Sequence, residues 1–469
     1  MARLSSTRVV AACALLVTVY ALYISSLVLR RREPRHEASQ VPARQWLDSS
    51  SPLTAILLQQ SPVDRNQQLE RLKAIDRGWA TSACRGQHVY AAMPSALARE
   101  ARLRSVEVLS LPGEQQETAA LRNAVTSFKA LLLPRGLQEE EEEEEYEWMV
   151  MANDHTFMLA PNLRRFLLSL DSQSMVYTGN LLQRGTYDGR PLVFASGGAG
   201  AVFSRPALAA LLLAWAVLGI GELDLADIDR APPCMLSAGN SSQTSSRREL
   251  RCALRAARAF TAAPQAHVLT IQLSRRASIA LFYKHSQLQV GVAASPGVPL
   301  RVLPLRVLRG GCDADGAFAR INPGVVMASC LRLLGAASPS SQEEGSAAER
   351  FNVYGLLRSL LGDVDGWYRD AKAGLAPGTH DEAGAEGAGA PLRLARELVS
   401  LHYVSQAESA LLHEALTRPG GAATAARRWP RHGSAGVGAY ARGVRNEAEA
   451  QLVERFLAIN VSVARCDEG

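Results

Sequence analysis

The chain has 469 residues, 47% hydrophobic and 20% charged, and its 51 basic and 45 acidic side chains leave a net charge of +6. These values exclude wholesale disorder, a fibrous repeat and a polytopic membrane protein. The length supports a core that needs no disulfide scaffold in order to fold. Only four of the basic residues are lysines (Lys73, Lys129, Lys284 and Lys372). The arginines are scattered singly and in pairs rather than gathered on one stripe with aromatics between them, which argues against a nucleic-acid partner.

In chain order, Met1–Arg8 reads as a short cytosolic tail, and Val9–Leu29 as an apolar run of 21 residues. As a helix that run is about 31 Å long, enough to cross a hydrocarbon core of about 30 Å. Arg30-Arg31-Arg32 closes it. The apolar region of a cleaved signal peptide is shorter, about 7–15 residues, so an uncleaved anchor is expected. Arg3 and Arg8 before the run are outnumbered by Arg30, Arg31, Arg32 and Arg35 after it, and charge counting alone would keep the bulk of the chain cytosolic. Two sequons, Asn240-Ser241-Ser242 and Asn460-Val461-Ser462, point instead to a lumenal space. So does cysteine usage: outside the anchor stand Cys84, Cys234, Cys252, Cys312, Cys330 and Cys466, an even set that suits an oxidising compartment.

Residues 30–51 read as a stem, and 52–418 as one α/β domain. Leu53–Leu58 is a short strand, and Val63–Asp76 and Leu121–Leu133 are helices. The seven glutamates Glu139–Glu145 form a solvated run, since like charges four apart on a helix repel. Tyr146–Met151 reads as a central strand stopping at Asn153-Asp154-His155. A helix opens at Pro161, and Met175–Thr178 and Leu192–Phe194 are further strands. Strands alternating with helices indicate a layered α/β domain. Ala207–Ile220 is apolar but too short to span a bilayer; with Ser204 as N-cap and Pro206 in the first turn it reads as a buried core helix. Residues 419–469 read as a loop-rich tail.

Three constellations carry chemistry. A buried strand ending in Asn153-Asp154-His155 places a carboxylate and an imidazole at a sheet's carboxyl edge, where α/β proteins bind ligands; an Asx turn is the alternative. Ser196-Gly197-Gly198-Ala199-Gly200 allows close approach of backbone to a ligand, as small flexible loops commonly do. Val399–Val404 reads as a strand with His402 on the face opposite Leu401 and Tyr403, either a ligand or a satisfied core histidine.

Taken in order with Gly78-Trp79-Ala80-Thr81-Ser82-Ala83-Cys84 and the pair Cys312 and Cys330, these pieces resemble the inverting β1,3-glycosyltransferase superfamily, and within it the core-1 β1,3-galactosyltransferase branch. The resemblance spans about residues 70–415, apart from an apparent insertion near 206–311. It implies a GT-A fold, a Rossmann-like α/β sheet behind a single transmembrane helix, with Mn²⁺ and a UDP-sugar as cofactor and donor. By that resemblance Asp154, His155 and His402 hold the metal. Trp79, Asn153, Asp154, Ser196, Gly197, Gly198, Ala199 and Gly200 contact the donor, and Cys312 pairs with Cys330. It further implies a single-pass type II protein of the Golgi or ER membrane, with a lumenal catalytic domain. The implied partners are a glycoprotein O-glycan acceptor and a homo- or hetero-dimeric second subunit.

Two departures fall on the chemistry. The branch's aspartate triplet is Asn153-Asp154-His155 here. Pro323 and Gly324 stand where an acidic pair precedes the second cysteine, leaving Asp313 and Asp315 as the nearest general-base carboxylates. These departures keep a second class open, an inactive relative acting as a chaperone or subunit of an active transferase.

Overall fold

The computed structural model describes residues 52–59, 65–94, 100, 102–111, 120–132, 146–187, 190–219, 247–262, 268–274, 276–284, 287–293, 301–312, 323–342, 348–361, 365–373, 394–417, 421–429 and 447–457. All of them belong to one unit, residues 51–469. The expected anchor, stem, glutamate run, Asp313 and Asp315 lie outside the described residues.

The elements are β1 (Thr54–Gln59), α1 (Arg65–Arg77), β2 (Gln87–Pro94), β3 (Glu107–Leu111), α2 (Ala120–Leu132), β4 (Trp148–Asn153), β5 (Phe157–Met158), α3 (Ala160–Leu168), β6 (Tyr177–Gly179), β7 (Leu181–Tyr187), β8 (Arg190–Ala195), β9 (Ala201–Ser204) and α4 (Arg205–Leu218). There follow α5 (Arg247–Ala262), β10 (Val268–Gln272), β11 (Ser278–Lys284), β12 (Gln287–Ala293), β13 (Arg301–Pro304), α6 (Leu305–Gly311) and α7 (Pro323–Leu333). The last are β14 (Phe351–Asn352), α8 (Leu356–Leu360), α9 (Gly366–Ala373), β15 (Ser400–Leu401), α10 (Gln406–Thr417), α11 (Gly421–Arg428) and α12 (Glu447–Arg455).

The main sheet runs β3-β2-β1-β4-β9-β6. β3, β2, β1 and β4 are parallel, and β9 is antiparallel to both its neighbours. Strands of a parallel sheet are covered on both faces, so their sequences run apolar without alternation. Ala55–Leu58 and Trp148–Ala152 do so and are buried throughout. The strand order reverses at β1: β2 lies on one side and β4 on the other. A doubly wound sheet opens its ligand crevice at such a point, at the strands' carboxyl ends.

Ser204 caps α4, its hydroxyl accepting from Ala207 N at 3.4 Å, and Gly219 ends the helix at φ +69°. The antiparallel sheet β10-β11-β12-β13 occupies much of the stretch read as an insertion.

Two expectations need correction. The tail 419–469 contains α11 and α12, which bury Ala425 and Val453; composition rich in Ala, Gly and Arg hid helices that form by packing. Within Val399–Val404 only Ser400–Leu401 is strand. Tyr403, at φ +53°, turns the chain, so its ring and that of His402 come to lie together instead of on opposite faces.

Candidate active site

β1 and β4 end side by side, Gln59 opposite Asn153. The next residue leaves the sheet there, with Asp154 N donating to Gln59 O at 3.0 Å. The turn is fastened from several sides. Thr156 N donates to Asn153 O at 3.1 Å, and the Thr156 hydroxyl accepts from Asn153 N at 3.3 Å while donating to Gly198 O at 2.6 Å. The Trp79 indole donates to Thr156 O at 3.1 Å.

Asp154 points inward. Its carboxylate faces the buried guanidinium of Arg71, whose Nη1 lies 3.3 and 3.4 Å from the two oxygens, and it meets His155 Nδ1 at 3.0 Å. A carboxylate oxygen beside an arginine accepts, so His155 Nδ1 is the donor in this contact. In His402, Nδ1 donates to Val353 O at 3.2 Å, and Nε2 lies 3.5 Å from Asn153 Nδ2. Burial and the adjacent His155 imidazole push His402 well below the ordinary histidine range, against the opposing Val353 hydrogen bond. His402 is therefore neutral at pH 7.

The two imidazoles stack at 4.6 Å between centroids, inclined by 24°. Tyr403 completes the group, 3.8 Å from His402 and 5.2 Å from His155. A non-glycine residue at positive φ is strained, and such strain gathers at functional sites. Backbone bonds lock the arrangement: Val404 N to His155 O at 2.9 Å and His402 N to Asn352 O at 3.0 Å.

The glycine loop packs beneath these rings. A Cβ on Gly198 would stand 2.0 Å from His402 Cε1, and one on Gly200, at φ +112°, would crowd Phe351. The Ser400 hydroxyl donates to Ala199 O.

A cleft of about 430 Å³ opens beside the turn. Asn66, Gln67, Glu70 and Arg71 of α1 form one wall, and Ser405, Gln406 and Ala407 at the start of α10 form the other. Asp154, His155 and Thr156 close the cleft at the sheet edge. Two helix N-termini thus border it, and helix N-termini attract anions.

The structure brings Asn153, Asp154, His155, Ser196–Gly200 and His402 together, although they come from three distant parts of the chain. Trp79, 1% exposed, braces the turn through Thr156. Gly198, Ala199 and Gly200 are buried against His402, Ser400 and Phe351, because the loop fills space under the rings; Ser196 and Gly197 stay partly exposed. The Asp154 carboxylate is enclosed by Arg71 and His155. Arg71, Val353 and Tyr403 were not singled out from sequence. Arg71 is one arginine among many and leaves no signal, whereas Tyr403 stood inside a motif already noted. Among the described residues no group of three or more His, Cys, Asp or Glu side chains is placed to hold a metal ion. Near the turn the described residues offer two imidazoles, each with its Nδ1 anchored, stacked face to face.

Cys312 and Cys330 are joined by a disulfide, and Cys84 and Cys252 are also disulfide-bonded.

A family model described as Fringe-like matches residues 65–236, from α1 past the end of α4. The Fringe-like family is one of β1,3-glycosyltransferases. The match takes in Arg71, Trp79, the Asn153–His155 turn and the glycine loop, and stops short of His402. No curated protein matches the chain.

Proposed function

We propose that this chain is an inverting, cation-dependent β1,3-glycosyltransferase that moves galactose from UDP-galactose to a GalNAc-type O-glycan on a glycoprotein. Its setting is the Golgi or ER membrane, as a single-pass type II protein with a lumenal domain. The observation that carries this reading is the meeting of His402 with the Asn153–His155 turn, over the glycine loop, beside a cleft at the carboxyl ends of β1 and β4. The Fringe-like match over α1 to α4 supports the reaction class.

The chain's own groups divide the work. The first turns of α1 and α10 line the cleft, and the positive ends of their helix dipoles favour a diphosphate there. His155 and His402 would hold a divalent cation, which neutralises charge on a departing diphosphate when bound. Asp154 and Arg71 keep the His155 ring in one tautomer and orientation. Asp313 or Asp315 supplies the general base for the acceptor hydroxyl. Attack from the face opposite the departing UDP inverts the anomeric carbon.

One observation favours a second reading, an inactive relative serving as chaperone or subunit: the single carboxylate left in the aspartate motif is buried against Arg71. A transfer assay separates the two. Detergent-solubilised full chain is incubated with radiolabelled UDP-galactose, Mn²⁺ and a GalNAc-bearing peptide, with and without EDTA. Labelled peptide that disappears with EDTA is expected. Absence of transfer from every UDP-sugar, together with absence of UDP binding by calorimetry, selects the inactive reading.

A further inference from the structure

Charge is unevenly divided along the chain. From Leu250 to Cys312 there is no aspartate or glutamate, and residues 250–342 hold eleven arginines and lysines against Asp313 and Asp315. That stretch is net +9 while the whole chain is +6, so the remainder is net −3. It builds most of α5, the antiparallel sheet, α6 and α7. Part of the charge is matched, since Arg276 pairs with Asp171 at 2.7 Å. The charge on β13, α6 and the end of α7 is not. Arg306 and Arg309, both exposed, reach no carboxylate among the described residues. They stand three apart on one helix, a spacing at which like charges repel. Arg301 Nη1 donates to Arg332 O at 3.1 Å and Arg332 Nη1 to Pro191 O at 2.8 Å, carbonyls that leave both charges standing. Elsewhere exposed arginines have acidic neighbours, as Arg165 has Glu397 and Arg428 has Glu414.

Among the described residues only two large apolar side chains are exposed, and both stand on this face: Val302 of β13 at 44% and Val307 of α6 at 37%. The base beneath them is fixed. Leu308, Gly311 and Cys312 are buried, and the Cys312–Cys330 disulfide ties the end of α6 to α7. β13 is an edge strand, yet its four residues end in Pro304, and short length and proline blunt strand addition. Recognition on this face therefore falls to side chains.

We propose that Arg301, Val302, Arg306, Val307, Arg309 and Arg332 form a docking surface for an acidic polypeptide segment that carries apolar side chains. Four guanidiniums with no acid among them are complementary to carboxylates. The two valines distinguish a polypeptide from other polyanions, because a sulfated or carboxylated polysaccharide has no alkyl side chain to lay against them. The inference stands apart from the transferase reading, since the surface binds its partner whether or not the cleft transfers sugar.

Detergent-solubilised full chain is titrated with fluorescein-labelled peptides, and binding is read by anisotropy. One peptide interleaves glutamate with leucine; a second has serine in place of each leucine at the same charge. The leucine peptide is expected to bind, more weakly as salt is raised. Arg306→Glu/Arg309→Glu lowers its affinity about tenfold or more. Val302→Ser/Val307→Ser lowers it about fivefold and leaves the serine peptide's affinity unchanged. All four positions are exposed, so melting temperatures equal to wild type are expected, and Arg306→Gln/Arg309→Gln serves as a neutral second variant. Equal affinity for the two peptides gives the face to polyanions in general and overturns the proposal. Binding that is absent in wild type but appears once Glu139–Glu145 is replaced by glycine and serine also overturns it, giving the face to the chain's own acidic run. Absence of binding in both chains does the same.

Discussion

At the residue scale the site depends on a missing atom. Gly198 needs no unusual φ; what it supplies is room, since a Cβ there would lie 2.0 Å from His402 Cε1 and 2.1 Å from Nε2. The ring has nowhere to go, with Val353 O behind it and Tyr403 and His155 stacked beside it. Gly198→Ala therefore displaces His402 at a cost of about 1–3 kcal/mol of overpacking. UDP-dependent cation binding by calorimetry is expected to fall at least tenfold, as far as in His402→Ala, while the protein stays folded. Binding equal to wild type would remove the Gly198 contact from the argument. The sequence displays Gly198 only as one of several small residues. Its purpose is invisible there because the atom it makes room for belongs to a residue from a distant part of the chain.

At the element scale the cleft wall relies on how α10 begins. Ser405 and Glu408 form a capping box: the Ser405 hydroxyl accepts from Glu408 N at 3.2 Å, and Glu408 Oε2 accepts from Ser405 N at 2.9 Å. Burial raises the Glu408 carboxyl above its ordinary 4.5, against the lowering effect of the Ser405 hydrogen bonds. The folded state therefore grips that proton more tightly than the unfolded chain does. The contribution is fully present below the ordinary value and is lost as pH rises through the raised one. Glu408→Gln keeps the acceptor and cannot ionise. Its melting temperature at neutral pH is expected to equal or exceed wild type, with a flatter decline from acid to neutral pH. Glu408→Ala strands Ser405 N and costs about 1–3 kcal/mol. A Gln variant as unstable as the Ala variant would refute the titration argument. Strand and helix positions were mostly legible, because the buried parallel strands β1 and β4 are unbroken apolar runs. Alternation over Val399–Val404 assumes extended backbone throughout, and one left-handed residue, Tyr403, cancels it.

For the whole molecule, α4 decides how the parts hold together. Its sequence is apolar around its full circumference, which marks a helix buried on all sides but does not say by what. Leu213, Ala214 and Val217 line a small apolar cavity together with Ile271, Ile279, Leu281 and Val290 of the antiparallel sheet. The cavity brings together segments far apart in the chain, and local periodicity carries no trace of that. The connection back runs from β13 through α6 to α7, and α7 packs against β8 and α4. Gly311 at the end of α6 sits so close to α7 that a Cβ there would lie 1.8 Å from Leu333 Cδ1. The Cys312–Cys330 disulfide closes this junction across a sequence separation of 18. A loop of that length loses about 3 kcal/mol of unfolded-state freedom on cross-linking. The double variant Cys312→Ser/Cys330→Ser, which leaves no odd thiol, is expected to lower the free energy of unfolding in urea by about that amount. Peptide mapping of wild type under non-reducing conditions should recover the two cysteines linked. The closed loop contains Asp313 and Asp315, so the variant also tests the general-base assignment: if either carboxylate acts on the acceptor, kcat falls while calorimetric UDP affinity holds. A double variant with unchanged stability would mean that α6–α7 packing alone secures the antiparallel sheet, and unchanged kcat would move the base to another carboxylate.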